Sequence, residues 1–106
     1  MNIEEYCLSK RGAVEDYPFG DDAAVFKVNG KMFALTQPPG KPTRINLKCD
    51  PTRAVWLRQE YKSVSPGYHM NKTHWNTVEL GGDVDIKEVF KMIDDSYDLV
   101  AKGKKK

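Results

Sequence analysis

The sequence predicts an α+β domain built on a single antiparallel sheet with flanking helices. Two local patterns carry this prediction. Asn29-Gly30 separates two apolar-rich segments, and this dipeptide is typical of two-residue β-hairpin turns. After Asp85, apolar residues recur at the i, i+3, i+4 and i+7 spacing of an amphipathic helix. The predicted order is helix, hairpin, strand, helix, hairpin and helix, which is a mixed rather than an alternating βαβ arrangement.

The N-terminal half begins with a helix and continues into the hairpin. Asn2 and Glu5 match a capping box, and the helix after them is predicted to turn three side chains inward: Ile3, Cys7 and Leu8. A two-residue turn also sets the hairpin register. The predicted cross-strand pairs are Val28 with Lys31, Phe26 with Phe33, and Ala24 with Leu35.

The C-terminal half supplies the remaining elements. Residues 44–49 alternate apolar and polar side chains, which predicts a strand with one core face and one basic face. Asp50-Pro51 is an N-cap followed by proline and predicts a helix to about Tyr61. Residues 63–80 are expected to form two extended segments. The last helix is predicted to bury Ile86, Val89, Phe90, Ile93, Tyr97 and Val100.

Charge is unevenly distributed along these 106 residues, whose formal net charge is +2. Residues 41–78 hold seven Lys/Arg against two Asp/Glu, a local balance of +5. Residues 102–106 hold four lysines, so the preceding part of the chain is itself slightly acidic. We therefore expect one domain over residues 1–101, a flexible lysine-rich tail over 102–106, and an anionic partner for the middle segment.

Composition points to the cytoplasm. No stretch approaches the ~20 apolar residues of a membrane span, and the N-terminus lacks the apolar core of a secretory signal. Cys7 and Cys49 lie far apart and outside any C-x-x-C motif. We expect two reduced, buried thiols, although the sequence leaves a disulfide between them open.

A dense polar cluster at residues 68–76 admits three interpretations. His69 and His74 are five residues apart, on opposite faces of a strand, which disfavours a metal site. No carboxylate lies within residues 61–78 to orient a base, which disfavours catalysis. Lys72 and Asn71 suit phosphate and polar contacts, so anion or nucleic-acid binding is favoured over an enzyme. A purely structural role is equally compatible with these residues, and Trp75 is expected in the core. No cofactor is expected.

The same segment resembles a known family. SPGYHMNKTHWNTV, residues 65–78, is similar to the signature of the bacterial YjbR/MmcQ family, and YCLSKRGA, FKVNGKMFA and INLKC match its other parts. The resemblance extends over nearly the whole chain to about Ala101. It implies a "double wing" α+β fold, related in architecture to frataxin-like and secretion-chaperone-like domains. It also implies DNA binding, by analogy of fold.

The leading hypothesis is accordingly a small, monomeric, non-catalytic domain that binds double-stranded DNA weakly. A basic strand and helix face would contact phosphates, and a His/Asn/Lys wing would add polar contacts. The predicted nucleic-acid-binding residues are Arg44, Lys48, Arg53, Arg58, His69, Asn71, Lys72 and His74. The alternative is a protein-interaction or small-ligand-binding module without a nucleic-acid role. An exposed apolar patch, or a pocket lined by Tyr68, His69 and Trp75, would indicate it.

Overall fold

A computed structural model describes residues 2–67 and 70–102. Nine helices and strands make up its framework: α1 Ile3–Leu8, β1 Val14–Asp16, β2 Ala24–Val28, β3 Lys31–Gln37, β4 Arg44–Lys48, α2 Pro51–Glu60, β5 Val64–Pro66, β6 Trp75–Glu79 and α3 Ile86–Ala101. A short 3₁₀ turn, Gly20–Asp22, precedes β2. The strands form one antiparallel sheet in the order β1-β2-β3-β4-β6-β5. The predicted α+β fold class is confirmed.

The first helix begins as its capping signal predicts. Asn2 Oδ1 accepts the Glu5 N–H at 2.8 Å, and Glu5 Oε1 accepts the Asn2 N–H at 3.0 Å. Ile3 and Cys7 are buried, whereas the predicted burial of Leu8 is wrong, because 44% of that residue is exposed. The helix ends at Leu8, and only Ile3 and Cys7, which are spaced i and i+4, reach the core.

The hairpin forms where predicted, but its register differs. Asn29 and Gly30 both have positive φ, 54° and 77°, as a type I′ turn requires. Val28 pairs with Lys31 as predicted, yet Phe26 pairs with Ala34 rather than Phe33. A β-bulge at Phe33 shifts the pairs beyond it by one residue. The predicted pairing of Ala24 with Leu35 is wrong for the same reason.

The main core lies between one face of the sheet and the helices. α3 packs on β2, β3 and β4, while α2 packs on β5 and β6. The buried stripe of α3 runs through Val89, Met92, Ile93, Ser96 and Val100. This stripe is rotated by roughly 60° from the predicted one, at about 100° per residue. The rotation explains why Ile86 is half exposed and why Phe90 and Tyr97 are only partly buried.

Both cysteines are free and buried, as predicted. Burial raises the pKa of the Cys7 thiol to about 12 and also raises the pKa of Cys49. Because the thiolate is the reactive form, neither side chain is suited to nucleophilic chemistry at neutral pH.

No helix in the described part of the chain is both long enough and apolar enough to span a membrane.

The sheet face opposite the helices is here called the open face. Its register positions include Val25, Leu35, Asn46 and Thr77, which pair or neighbour one another across four adjacent strands. Ala23, Val25 and Leu35 form a second, smaller apolar cluster there, separate from the main core. All of these residues are buried although no helix covers them. The open face therefore combines buried apolar side chains with the buried polar side chains of Asn46 and Thr77.

Candidate functional site

Two of the predicted DNA-binding residues share one side of the sheet. Arg44 and Lys48 occupy alternate positions of β4 on the open face, and both are half-buried. Arg44 Nε donates a hydrogen bond to Gln37 Oε1 at 3.2 Å. Because Gln37 lies opposite Arg44 in the β3–β4 ladder, this contact holds the guanidinium along the open face.

Arg58 lies on the helix side of the sheet and bonds to the protein itself. Its Nε donates to Asn76 Oδ1 at 2.7 Å, and its Nη2 donates to the carbonyl oxygens of Lys72 and Trp75. Asn76 is buried, and its Nδ2 donates a hydrogen bond to the Ala54 carbonyl oxygen at 3.3 Å. Arg58 thus ties α2 to the segment before β6, which is a structural role that the charge pattern did not predict.

In the segment of residues 70–76, polar side chains likewise form hydrogen bonds to the protein's own backbone. Lys72 Nζ donates to the Gly67 carbonyl at 3.1 Å. Asn71 Oδ1 accepts the Thr73 N–H at 2.9 Å, which forms a local side-chain turn. The His74 carbonyl accepts the Cys49 N–H at 2.7 Å. The lysine and the asparagine thus help to shape the connection between β5 and β6.

Arg53 does not join the open face, because it lies on α2. Arg53, on α2, lies 3.7 Å from Glu88 of α3 and stacks over the Trp56 ring. His69 and Tyr68 lie outside the described residues, so the predicted role of His69 and the predicted pocket of Tyr68, His69 and Trp75 stay predictions. The described basic residues are consequently divided between the two sides of the sheet.

A cleft of about 310 Å³ opens on the open face. Apolar side chains form much of it, and Phe19, 58% exposed, stands at its rim. Its lining residues are Phe19, Asp22, Ala23, Leu35, Gln37, Asn46 and Met70. The loop that contains the 3₁₀ turn supplies one wall, and Met70, just before the β5–β6 turn residues, supplies another. The floor comes from β3 and β4.

Asn46 is the most unusual group in this cleft. The residue is 3% exposed, and its Oδ1 accepts the Thr77 hydroxyl at 2.6 Å. No fully buried side-chain nitrogen or oxygen in the described part of the chain lacks a hydrogen bond, so the Asn46 Nδ2, which has no protein acceptor there, is in contact with solvent. An N–H that meets solvent at the floor of a cleft can donate to an acceptor on a bound ligand in place of water.

A second depression of about 350 Å³ adjoins the cleft through two shared residues, Asp22 and Gln37. Arg44, Pro38 and Thr43 complete its lining. Asp22 is exposed, and within the described residues its carboxylate takes part in no ion pair or hydrogen bond. Asp22 and Arg44 therefore border the same depression, and Arg44 is already bonded to Gln37 within the protein.

Metal ligands are not clustered in the described residues: no three His, Cys, Asp or Glu side chains come together there.

Comparison with known proteins identifies the family. The YjbR family model matches residues 8–99, which is most of the chain. This chain belongs to the YjbR family. It is 34% identical over 100 residues to YjbR of Escherichia coli K12, covering 92% of this chain and 85% of that protein. It is 41% identical over 87 residues to YbdF of Escherichia coli O157:H7, covering 82% and 71% respectively.

Two solved structures share this YjbR-family fold. The crystal structure of Deinococcus radiodurans protein DR2400 superposes with a TM-score of 0.86 at 40% identity, covering 93% of this chain and 75% of that one. A crystal structure of a Pseudomonas syringae protein gives a TM-score of 0.78 at 33% identity, covering 94% and 99%. The similarity supports the α+β architecture and the predicted family.

The cleft of this YjbR-family protein was only partly foreseeable. The alternation in residues 44–49 correctly set Asn46 on the same face as Arg44 and Lys48. It did not indicate that Asn46 is buried, because the covering side chains come from distant segments. Phe19 and Asp22 carried one usable signal: an exposed aromatic residue in a Gly-Asp-Asp loop directly before the hairpin.

Proposed function

We propose that this protein is a non-catalytic binding domain that takes a small, partly apolar ligand in the cleft on the open face. The observation that carries the proposal is the cleft itself, about 310 Å³ and mainly apolar, with the solvent-accessible Nδ2 donor of Asn46 at its floor. A ligand acceptor that replaces water on this N–H adds only about 0.5–1.5 kcal/mol, so apolar contact supplies the rest of the affinity.

The rest of the cleft fits the same function. Small-molecule sites are typically about 300–1,000 Å³, mainly apolar, with a few placed polar groups. Here the volume is about 310 Å³, Leu35 supplies apolar floor, Ala23 adds apolar surface beside it, and Phe19 supplies an aromatic edge. The polar groups are confined to Asn46, Gln37 and Asp22. This is the small-ligand alternative raised from the sequence, located on different residues.

The proposal is tested by titrating the isotope-labelled protein with anilinonaphthalene sulfonate, an aromatic anion, and following backbone amides by NMR. We expect saturable shifts centred on Ala23, Leu35 and Asn46. Phe19→Ala removes the exposed rim and should weaken binding about threefold to tenfold without affecting the fold, because the ring contributes part of the apolar contact. Trp56→Ala is the matched control, since it removes another exposed aromatic ring, on α2, and should change nothing.

Shifts centred on α2, or equal weakening by Phe19→Ala and Trp56→Ala, would show that the dye binds exposed apolar surface non-specifically and that the cleft is not a binding site.

A second candidate function, weak binding of double-stranded DNA, is supported by one observation. Arg44 and Lys48 lie on the same face of β4, four register positions apart with Asn46 between them on that face. Two phosphate contacts predict a salt slope of only about −2 in log K against log salt. Arg44, Arg58 and Lys72 already bond to the protein, so each contributes to this candidate only through donors that those bonds leave or release.

This candidate is tested with a fluorescent duplex at about 50 and 200 mM salt, using the chain with and without residues 102–106. DNA binding by the domain predicts that affinity survives loss of the tail and falls strongly in an Arg44→Gln/Lys48→Gln variant. Arg53→Gln, on the other side of the sheet, is the control and should bind normally. If affinity disappears with the tail alone, the folded domain is not the DNA-binding element.

A further inference from the structure

A groove separates the start of α2 from the C-terminal part of α3, on the helix side of the sheet. Its volume is about 520 Å³. The α2 side contributes Asp50 and Arg53, the α3 side contributes Asp95, Asp98 and Leu99, and Cys49 lies between the two helices. Most of the lining surface is nevertheless apolar, because long charged side chains present their methylene stems to such a groove.

The apolar surface of the groove is accessible to a partner. Leu99 lines it and is 42% exposed. Arg53 stacks over the ring of Trp56, which is also exposed, so apolar surface continues along α2. A void of about 20 Å³ shares Cys49 with the groove and is otherwise lined mainly by core side chains. The two helices therefore leave the end of β4 incompletely covered, and an exposed apolar concavity of this kind is typical of an interaction site.

The charge of the groove indicates the chemistry of that partner. The carboxylates of Asp95 and Asp98 have no ion pair or hydrogen bond among the described residues. Arg53 already faces Glu88 at 3.7 Å, which leaves Lys102 as the other cation in the lining. The groove is therefore net negative, so it attracts lysine and arginine and repels the phosphates of nucleic acids and anionic lipids.

We infer that this groove binds a basic amphipathic segment of a partner protein. A large apolar side chain of the segment would cover Leu99, and lysine or arginine beside it would face Asp95 and Asp98. Amphipathic helices commonly bind to other proteins by laying their apolar face into such a groove. The inference is independent of the cleft, since the groove and the cleft share no lining residue.

The test titrates the full-length, isotope-labelled protein with a synthetic amphipathic helix of leucine and lysine, followed by NMR. We expect saturable amide shifts centred on Cys49 and Leu99. Two control peptides keep the same length and pattern, one with glutamate in place of lysine and one with alanine in place of leucine. Each should bind about tenfold more weakly or worse, because the first loses the charge complementarity and the second loses the apolar anchor.

Variants of the protein locate the peptide. Leu99→Ala should weaken binding about threefold to tenfold, because it removes exposed apolar surface from the groove. Leu8→Ala is the matched control, since it removes a similarly exposed leucine at the end of α1. Asp98→Asn should weaken binding about threefold, as for one exposed ion pair, and less as salt rises. Asp21→Asn is its control, because Asp21 is exposed and does not line the groove.

Three results would overturn the inference. Equal weakening by Leu99→Ala and Leu8→Ala, or equal affinity for the lysine and glutamate peptides, would show that the groove does not select a basic apolar segment. Binding that occurs only in a chain ending at Lys102 would assign the groove to the protein's own lysine-rich tail. Shifts at Cys49 and Leu99 that depend on protein concentration in the absence of peptide would assign it to a second copy of the chain.

Discussion

Replacing Arg58 with alanine is expected to lower the free energy of unfolding by about 2–4 kcal/mol. Hydrogen bonds from a charged donor contribute roughly 1.5–3 kcal/mol each, and Arg58 makes them to Asn76 and to backbone carbonyls. The substitution also removes the Arg58 donor from the buried Asn76 Oδ1, which adds the cost of an unpaired polar atom. A phosphate-contacting arginine would instead be nearly neutral to folding.

Urea unfolding followed by tryptophan fluorescence measures this difference. Arg53→Ala is the matched control on the same helix, because its 3.7 Å ion pair with Glu88 is at the surface and is worth at most about 1 kcal/mol. Arg58→Lys keeps the charge but not the planar fork, so it should be destabilised to an intermediate extent. Equal stabilities of the Arg58→Ala and Arg53→Ala variants would contradict the structural role of Arg58.

Arg58 shows why the predicted binding set and the structure diverge. A count of Lys and Arg in residues 41–78 records charge but not whether each charge already has a partner within the protein. Arg58 meets the Lys72 and Trp75 carbonyls, which come from a segment more than ten positions away. Nothing local to Arg58 predicts that contact. By contrast, Arg44 and Lys48 were placed correctly, because alternation along a strand is a local property.

The same distinction separates the fold elements. The caps at Asn2 and Asp50, the start of the last helix after Asp85, and the Asn29-Gly30 turn involve neighbours in sequence, and each was predicted. The bulge at Phe33 was not, because it depends on how β3 meets its neighbouring strands and α3. The cleft depends in turn on the loop around Phe19 crossing β3 and β4. Long-range packing of this kind leaves no periodic signal.

Ser96 is the second residue for which we expect a large effect. It is fully buried in α3, where its hydroxyl donates to the Phe33 carbonyl at 2.6 Å and accepts the Lys48 N–H at 2.9 Å. The β3–β4 ladder ends at the pair of Ala34 with Leu47, beside the bulge. Ser96 therefore bridges two backbone groups that lie just beyond the paired residues. Its burial among apolar residues of α3 was not predicted.

Ser96→Ala should lower the free energy of unfolding by about 2–4 kcal/mol, because it leaves a buried N–H and a buried C=O unpaired, at roughly 1–3 kcal/mol for each group. Ser9→Ala is the matched control. The Ser9 hydroxyl also donates to a backbone carbonyl, that of Tyr6, but at an exposed position where water replaces it. The control should lose less than about 0.5 kcal/mol.

Hydrogen exchange gives the sharper measurement, since it addresses the bridged amide itself. In Ser96→Ala the Lys48 amide should exchange faster than expected from the global loss of stability, while Leu47, which belongs to the ladder, follows the global change. If Lys48 keeps its protection relative to Leu47, then strand pairing rather than the serine holds this end of β4. The floor of the cleft would then owe its rigidity to the sheet alone, and Asn46, two residues before Lys48, would be positioned independently of α3.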